Sequence, residues 1–129
     1  MKIAVASDDK VTVRKGHFGE ARYYLVFEAD GDKILTEEVR ENPYFGDEHE
    51  HQRAKKILPL VQDCDVLIGR SMGRHSVPNL VAKGKTPLLS LLNGVTESVE
   101  AYLAGDRSKF LVWDEEENKF VKIQSGGDA

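Results

Sequence analysis

Apolar positions along the chain fall in short blocks, and the length and period of each block limit the element it can form. "KIAVA" (2–6) is a compact apolar run, as a buried strand requires. "RYYLVFEAD" (22–30) and "KILTEEVRE" (33–41) flank Asp30-Gly31, a dipeptide suited to a tight hairpin turn. Along "HEHQRAKKILPLVQ" (49–62), Ala54, Ile57, Leu58 and Val61 recur at helical spacing, with Pro59 placed to kink or end the helix. "DVLIG" (65–69) and "KTPLLSLL" (85–92) read as further buried strands, separated by a helix over "HSVPNLVAKG" (75–84) that carries Pro78 in its first turn and closes at Gly84. A helix over "TESVEAYLAG" (96–105) follows. "KFLVW" and "KFVKI", joined by the acidic "DEEEN", predict a terminal hairpin, and "SGGDA" a disordered end.

Short apolar strands alternating with helices call for a parallel portion of sheet, and the hairpin adds antiparallel members. The expected class is a mixed α/β fold in one domain, without internal repeats or a dividing linker. Right-handed crossovers make strands 2–6, 65–69 and 85–90 parallel. The hairpin reverses direction twice, so strand 33–41 runs with them. The loops leaving these strands therefore open on one edge, the place where open α/β sheets take ligands. That edge collects His17, Asn42-Pro43, His49, His51, the Gly69–His75 turn and Asn93-Gly94. Cys64 precedes its strand and belongs to the other edge, roughly 16 Å away for a strand of about five residues. It is expected to be a buried structural thiol.

Composition narrows the function classes. A chain of 129 residues can bury a core without staples. Its net charge of -4 disfavours a non-specific nucleic-acid binder. One cysteine excludes an internal disulfide and fits a reducing compartment. "MKIAVASDD" is too short in its apolar part for a signal peptide or a membrane span. The expectation is a cytoplasmic protein with neither nucleic-acid nor membrane partners.

None of the four histidines lies in a predicted strand; His17 is in a loop, and the others stand at or beside helix starts on the same edge. His49 and His51 share a face only in an extended segment, since in a helix they diverge by about 200°. They are either a metal clamp or two solvated side chains, and a clamp needs a third ligand. "GRSMGRHS" (69–76) joins a strand to a helix, where free amides beside Arg70 and Arg74 favour an anion. It is neither a G-x-G-x-x-G nor a P-loop, so no nucleotide is expected; a plain turn is the alternative. His17 taken alone reads as a surface or capping residue rather than a ligand.

Together these pieces resemble a family. "MKIAVASDD…HFGEARYYLVFE…ENP…HEH…CDVLIGRSMGR…L…KGKTPLL…V…YLAG" is similar, over residues 1–108, to the small dinitrogenase iron–molybdenum cofactor biosynthesis proteins. These are cofactor carriers and accessory proteins, a module also found at the C-terminus of the cofactor-assembly radical enzyme. The resemblance implies a ribonuclease-H-like fold with a mixed five-stranded sheet; the C-terminal hairpin extension (109–123) and the tail (124–129) lie beyond the match. It also implies binding of an iron–sulfur or iron–molybdenum-type cluster, or its precursor. His17 in the matching "HFG", with Phe18 and Gly19, would lie beside the cluster. Ser71, Met72 and Gly73 match the glycine-rich turn whose amides would face it. Two positions depart from the family pattern: Glu20 stands where a basic residue is usual, and Ser71 where glycine is common.

The expected function is a non-enzymatic carrier or assembly protein, monomeric or weakly dimeric, exchanging cargo with cluster donor and acceptor proteins. His17 would ligate the cluster, with His49 and His51 as candidate further ligands, while Arg14, Lys15, Arg22, Arg70 and Arg74 offset its charge. A metal-free small-molecule or anion-binding regulatory module is the alternative. A ribonuclease-H-like metal-dependent hydrolase is the third class, and it needs carboxylates converging on several strands. Only Asp8 and Asp9 leave the first strand, and later strands end without an acidic partner.

Overall fold

A computed structural model describes residues 1–45 and 57–123. The chain forms β1 (Lys2–Ser7), β2 (Tyr23–Asp30), β3 (Lys33–Glu41), β4 (Val66–Gly69), α1 (Val77–Ala82), β5 (Thr86–Ser90), α2 (Val95–Leu103), β6 (Phe110–Asp114) and β7 (Lys119–Lys122). Short 3-10 turns occupy Phe18–Glu20, Leu58–Val61 and Arg107–Lys109.

All seven strands join one sheet in the order β3-β2-β1-β4-β5-β6-β7. β1, β4 and β5 are mutually parallel, and the remaining pairs are antiparallel. The expected five-stranded sheet is thus corrected to seven. The terminal hairpin adds to the free side of β5, with Leu88 opposite Val112 and Ser90 opposite Phe110. The gain is apolar: Phe110 is buried, and Trp113 packs edge-on against Phe120 with ring centroids 5.1 Å apart.

The hairpin turn centres one residue later than expected, because Asp30 pairs with Lys33 and leaves Gly31 and Asp32 as the loop. Gly31 takes φ 62° at the first central position, which the turns that match strand twist demand. The helix expected over 75–84 is shortened to six residues, with Pro78 in its first turn. The helix expected over 49–62 lies mostly outside the described residues. Its described end is the Leu58–Val61 turn, where Pro59 removes the amide an α-helix would need.

Alternation along the central strands sorts the core into two faces. Ala4, Ala6, Tyr24, Val26 and Leu67 point to the face covered by Phe18, Val61, Met72 and Val77. Ile3, Val5, Leu25, Phe27, Val66 and Ile68 point to the other, covered by α2 through Val95 and Val99. The first face carries the candidate site. The carboxyl ends of β1, β4 and β5 meet at one edge, as topology requires. Single bridges tie their loops there, between Ser7 and Val13, Thr12 and Gly94, and His17 and Ser71.

Candidate functional site

The site begins in the loop after β1. Asp9 caps its own turn: its carboxylate accepts from the Thr12 amide at 2.7 Å, the Val11 amide at 2.8 Å and the Thr12 hydroxyl at 2.7 Å. These bonds, the Thr12 amide first, hold its pKa well below the usual carboxylate range. Arg14 then braces the next stretch. Its guanidinium pairs with Asp8, donates from Nε to the His17 carbonyl at 3.1 Å and lies 4.0 Å from Glu20.

"HFG" is anchored by its middle residue. Phe18 is buried, its ring centroid is 5.0 Å from that of Tyr24, and its carbonyl accepts from the Tyr24 hydroxyl at 2.6 Å. Burial, the largest cause, raises the Tyr24 pKa, so the phenol remains a donor. The Phe18 amide donates to the Ser71 carbonyl at 2.7 Å, stitching the loop to the end of β4. A side chain at Gly69 would meet Phe18 at 3.3 Å, so that close approach depends on glycine.

This stitch aims His17. Nδ1 of its exposed imidazole lies 2.9 Å from Ser71 Oγ, and among the described residues no group bonds Nε2. In the tautomer where Nδ1–H donates to the serine oxygen, Nε2 carries the lone pair that a ligating imidazole requires. Beside it lies a cavity of about 380 Å³ between the 58–61 turn, α1 and the sheet. Phe18, Ile57, Val61, Leu67, Met72 and Leu80 give it apolar walls, and His17, Glu20, Ser76, Asn79 and Lys83 its polar groups.

Of the expected site residues, His17, Phe18, Gly19, Met72 and Gly73 line this cavity, and Ser71 touches it through His17. Phe18 reaches it as a core anchor. Arg70 turns away, donating to the Leu92 carbonyl at 3.3 Å and Asn93 Oδ1 at 2.7 Å. Arg74 is exposed in the turn before α1. Arg14 is committed to Asp8, Glu20 and the His17 carbonyl, and so differs from the free cation expected of it. Glu20, the departure from the family pattern, is offset by the same guanidinium. Lys10, Lys15, Arg22, Arg70 and Arg74 have no carboxylate within salt-bridge distance among the described residues. His49 and His51 lie outside the described residues. Among those described, no three His, Cys, Asp or Glu side chains converge as a metal site. Asp8 and Asp9 are taken up by Arg14, the Arg22 amide and the loop itself. Cys64 is buried ahead of β4, its thiol pushed up to about 11 mainly by burial.

Sequence reasoning missed the wall that α1 contributes. Ser76, Asn79 and Lys83 are spaced i, i+3 and i+7, which puts them on one stripe of a helix. That spacing was available in "HSVPNLVAKG"; the cavity it faces was not, because packing of the 58–61 turn defines the opposite side.

No helix among the described residues is long and apolar enough to cross a membrane. Comparison with known proteins then gives the family. Residues 1–105 match the family described as dinitrogenase iron–molybdenum cofactor. No curated protein matches the chain. Among solved structures, PH0822 is similar with 21% identity, covering 89% of this chain and 98% of that one at a TM-score of 0.68. A structure described as a dinitrogenase from Methanocaldococcus jannaschii is 14% identical, covering 96% and 95% at 0.64. One described as a NifB protein from Thermotoga is 24% identical, covering 81% and 88% at 0.61. At these identities the solved structures speak to the fold. The chain belongs to the dinitrogenase iron–molybdenum cofactor family.

Proposed function

We propose that this member of the family is a non-enzymatic carrier or assembly protein for an iron–sulfur or molybdenum-containing cluster or its precursor. One observation carries the reading: Ser71 Oγ holds His17 Nδ1 at 2.9 Å, and this exposed imidazole borders a cavity on the loop edge. A single imidazole suits a carrier, because one soft ligand exchanges more readily than a closed ligand set. Arg74 and Lys15, exposed nearby in sequence and unpaired among the described residues, can offset the cluster's negative charge. Apolar walls behind His17 would limit water access to a bound cluster. The reading includes a ribonuclease-H-like arrangement for β1 to β5, a cytoplasmic setting, a monomer or weak homodimer, and transfer to and from cluster donor and acceptor proteins. His49 and His51 remain candidates for added ligands.

Anaerobic reconstitution with iron and sulfide, with and without molybdate, tests it by metal analysis and visible spectra. Retained metal with a sulfide-to-metal absorption band is expected. His17→Ala should lower retention about tenfold or more, in the range for losing a metal-site interaction, whereas Cys64→Ala should leave it unchanged. Colourless, metal-free protein would sink the proposal.

The uncompensated cations also favour a second reading, a metal-free anion-binding module. It predicts molybdate or phosphate binding that persists in His17→Ala.

A further inference from the structure

Close-packed interiors leave few voids larger than a water molecule. A cavity of about 380 Å³ with mostly apolar walls is in the size range and chemistry of a small-molecule site. Its walls do not suit a highly charged inorganic anion, which would lose its hydration without gaining donors there. Three of its polar groups sit on one side. Ser76, Asn79 and Lys83 form a stripe along α1, with Leu80 beside them, while Val77 is turned into the core. This stripe carries two neutral hydrogen-bonding side chains and one cation, and no carboxylate pairs with Lys83 among the described residues. The carboxylate on the opposite wall, Glu20, lies 4.0 Å from Arg14.

We infer that the cavity under α1 binds a single-chain organic acid, its aliphatic body against Val61, Leu67, Met72 and Leu80 and its carboxylate at Lys83. An apolar cavity with, among the described residues, one cation at its rim selects this amphiphile over a neutral alkane-like ligand, which leaves the lysine idle, and over a small inorganic anion, which leaves the walls unused. The site is separate in chemistry from His17 ligation and needs no metal.

The chain has two methionines, Met1 and Met72. Met1 is exposed, whereas Met72 is buried against the cavity. Full-length, metal-free protein carrying 13C-methyl methionine therefore holds both a reporter and an internal control. Titration with octanoate should shift the Met72 methyl resonance saturably and leave Met1 in place. Calorimetry should give one site. Leu80→Trp, at a half-buried position that tolerates bulk, should abolish the shift with the circular dichroism spectrum unchanged. Lys83→Glu should weaken octanoate about tenfold, the order expected when an attractive charge contact becomes repulsive, and leave octanol unaffected. A linear, non-saturating shift would overturn the site. Octanol binding as tightly as octanoate, or octanoate affinity unchanged in Lys83→Glu, would overturn the carboxylate assignment. Loss of cluster retention in His17→Ala is read in separate samples, so either result stands without the other.

Discussion

On the flank of the sheet, Arg40 of β3 donates to both oxygens of Asp63 at 2.7 and 2.8 Å and to the Leu60 carbonyl at 2.8 Å. Lys2 of β1 reaches the same carboxylate at 3.1 Å. Glu38 completes the group, 3.0 Å from Arg40. At the loop edge the same residue types are arranged differently. Asp8, Asp9 and Glu20 are spent on Arg14 and on backbone amides, while Lys10, Lys15, Arg22, Arg70 and Arg74 lack carboxylate partners among the described residues. The flank network closes on itself and pins β3 and β1 to the chain ahead of β4. The loop edge uses its acids to shape loops and leaves bases such as Lys15 and Arg74 exposed without a carboxylate partner among the described residues. A protein of net charge -4 can thus present an anion-receptive surface, because local pairing, and not the total, decides which charges face solvent.

Substitutions can break this contrast. The largest effect is expected at the buried anchor of the loop edge. Phe18→Ala should lower unfolding free energy by about 3 kcal/mol, the low end for a buried phenylalanine, read by urea denaturation. Loss of the cavity signal at Met72 should accompany it. Asp63→Asn should cost about 1 kcal/mol, since the carboxylate is partly exposed and solvent screens it, while cluster retention is unchanged. Its pH dependence has a definite sign. Arg40, first, holds Asp63 below its ordinary value of 3.8. Its contribution is therefore complete above about pH 4 and is lost as pH falls through the lowered folded value. Midpoints at pH 7 and pH 3 should converge in Asp63→Asn relative to the parent. A parent whose midpoint does not move between them would remove the network from the stability account.

Glu20→Gln sharpens the other half. It should raise retention of an anionic cargo two- to threefold, a modest effect because Arg14 already offsets the charge, and change stability little. The smallest effect concerns Cys64. With its thiol raised from 9.0 to about 11, largely by burial, the native protein should resist alkylation at pH 8. Its contribution to stability is complete below pH 9 and is lost as pH rises through about 11. Fast native-state alkylation at pH 8 would show that the thiol is less enclosed.

Strand directions and the loop edge were legible in the sequence because both follow from block length, period and crossover handedness. "KIAVA", "DVLIG" and "TPLLS" are buried on both faces and leave one parallel reading, which places His17 near Ser71 without coordinates. Three things were hidden for physical reasons. The hairpin reads the same from sequence whether it stands apart or extends β5, since only cross-strand packing of Phe110 and Trp113 decides it. The role of Arg14 depends on a turn that brings Asp8, Glu20 and the His17 carbonyl around one guanidinium, a convergence no periodicity encodes. The cavity depends on the spacing between α1 and the 58–61 turn, which is a matter of packing distances.

Among the described residues, β3 has one strand partner, β2, and β7 one, β6, so both end the sheet as edge strands. An open edge is a template on which further copies could add strand by strand. β3 exposes Leu35 at 59% and Val39 at 45%, an apolar invitation to such growth. Lys33, Glu37, Glu38, Arg40 and Glu41 interrupt it along the same strand, and β7 is only four residues long with lysine at each end. Charge and brevity therefore act as chain terminators against fibrillar stacking. Neutralising Glu37 and Glu38 together should increase assembly through β3 on concentration relative to the parent, visible by light scattering.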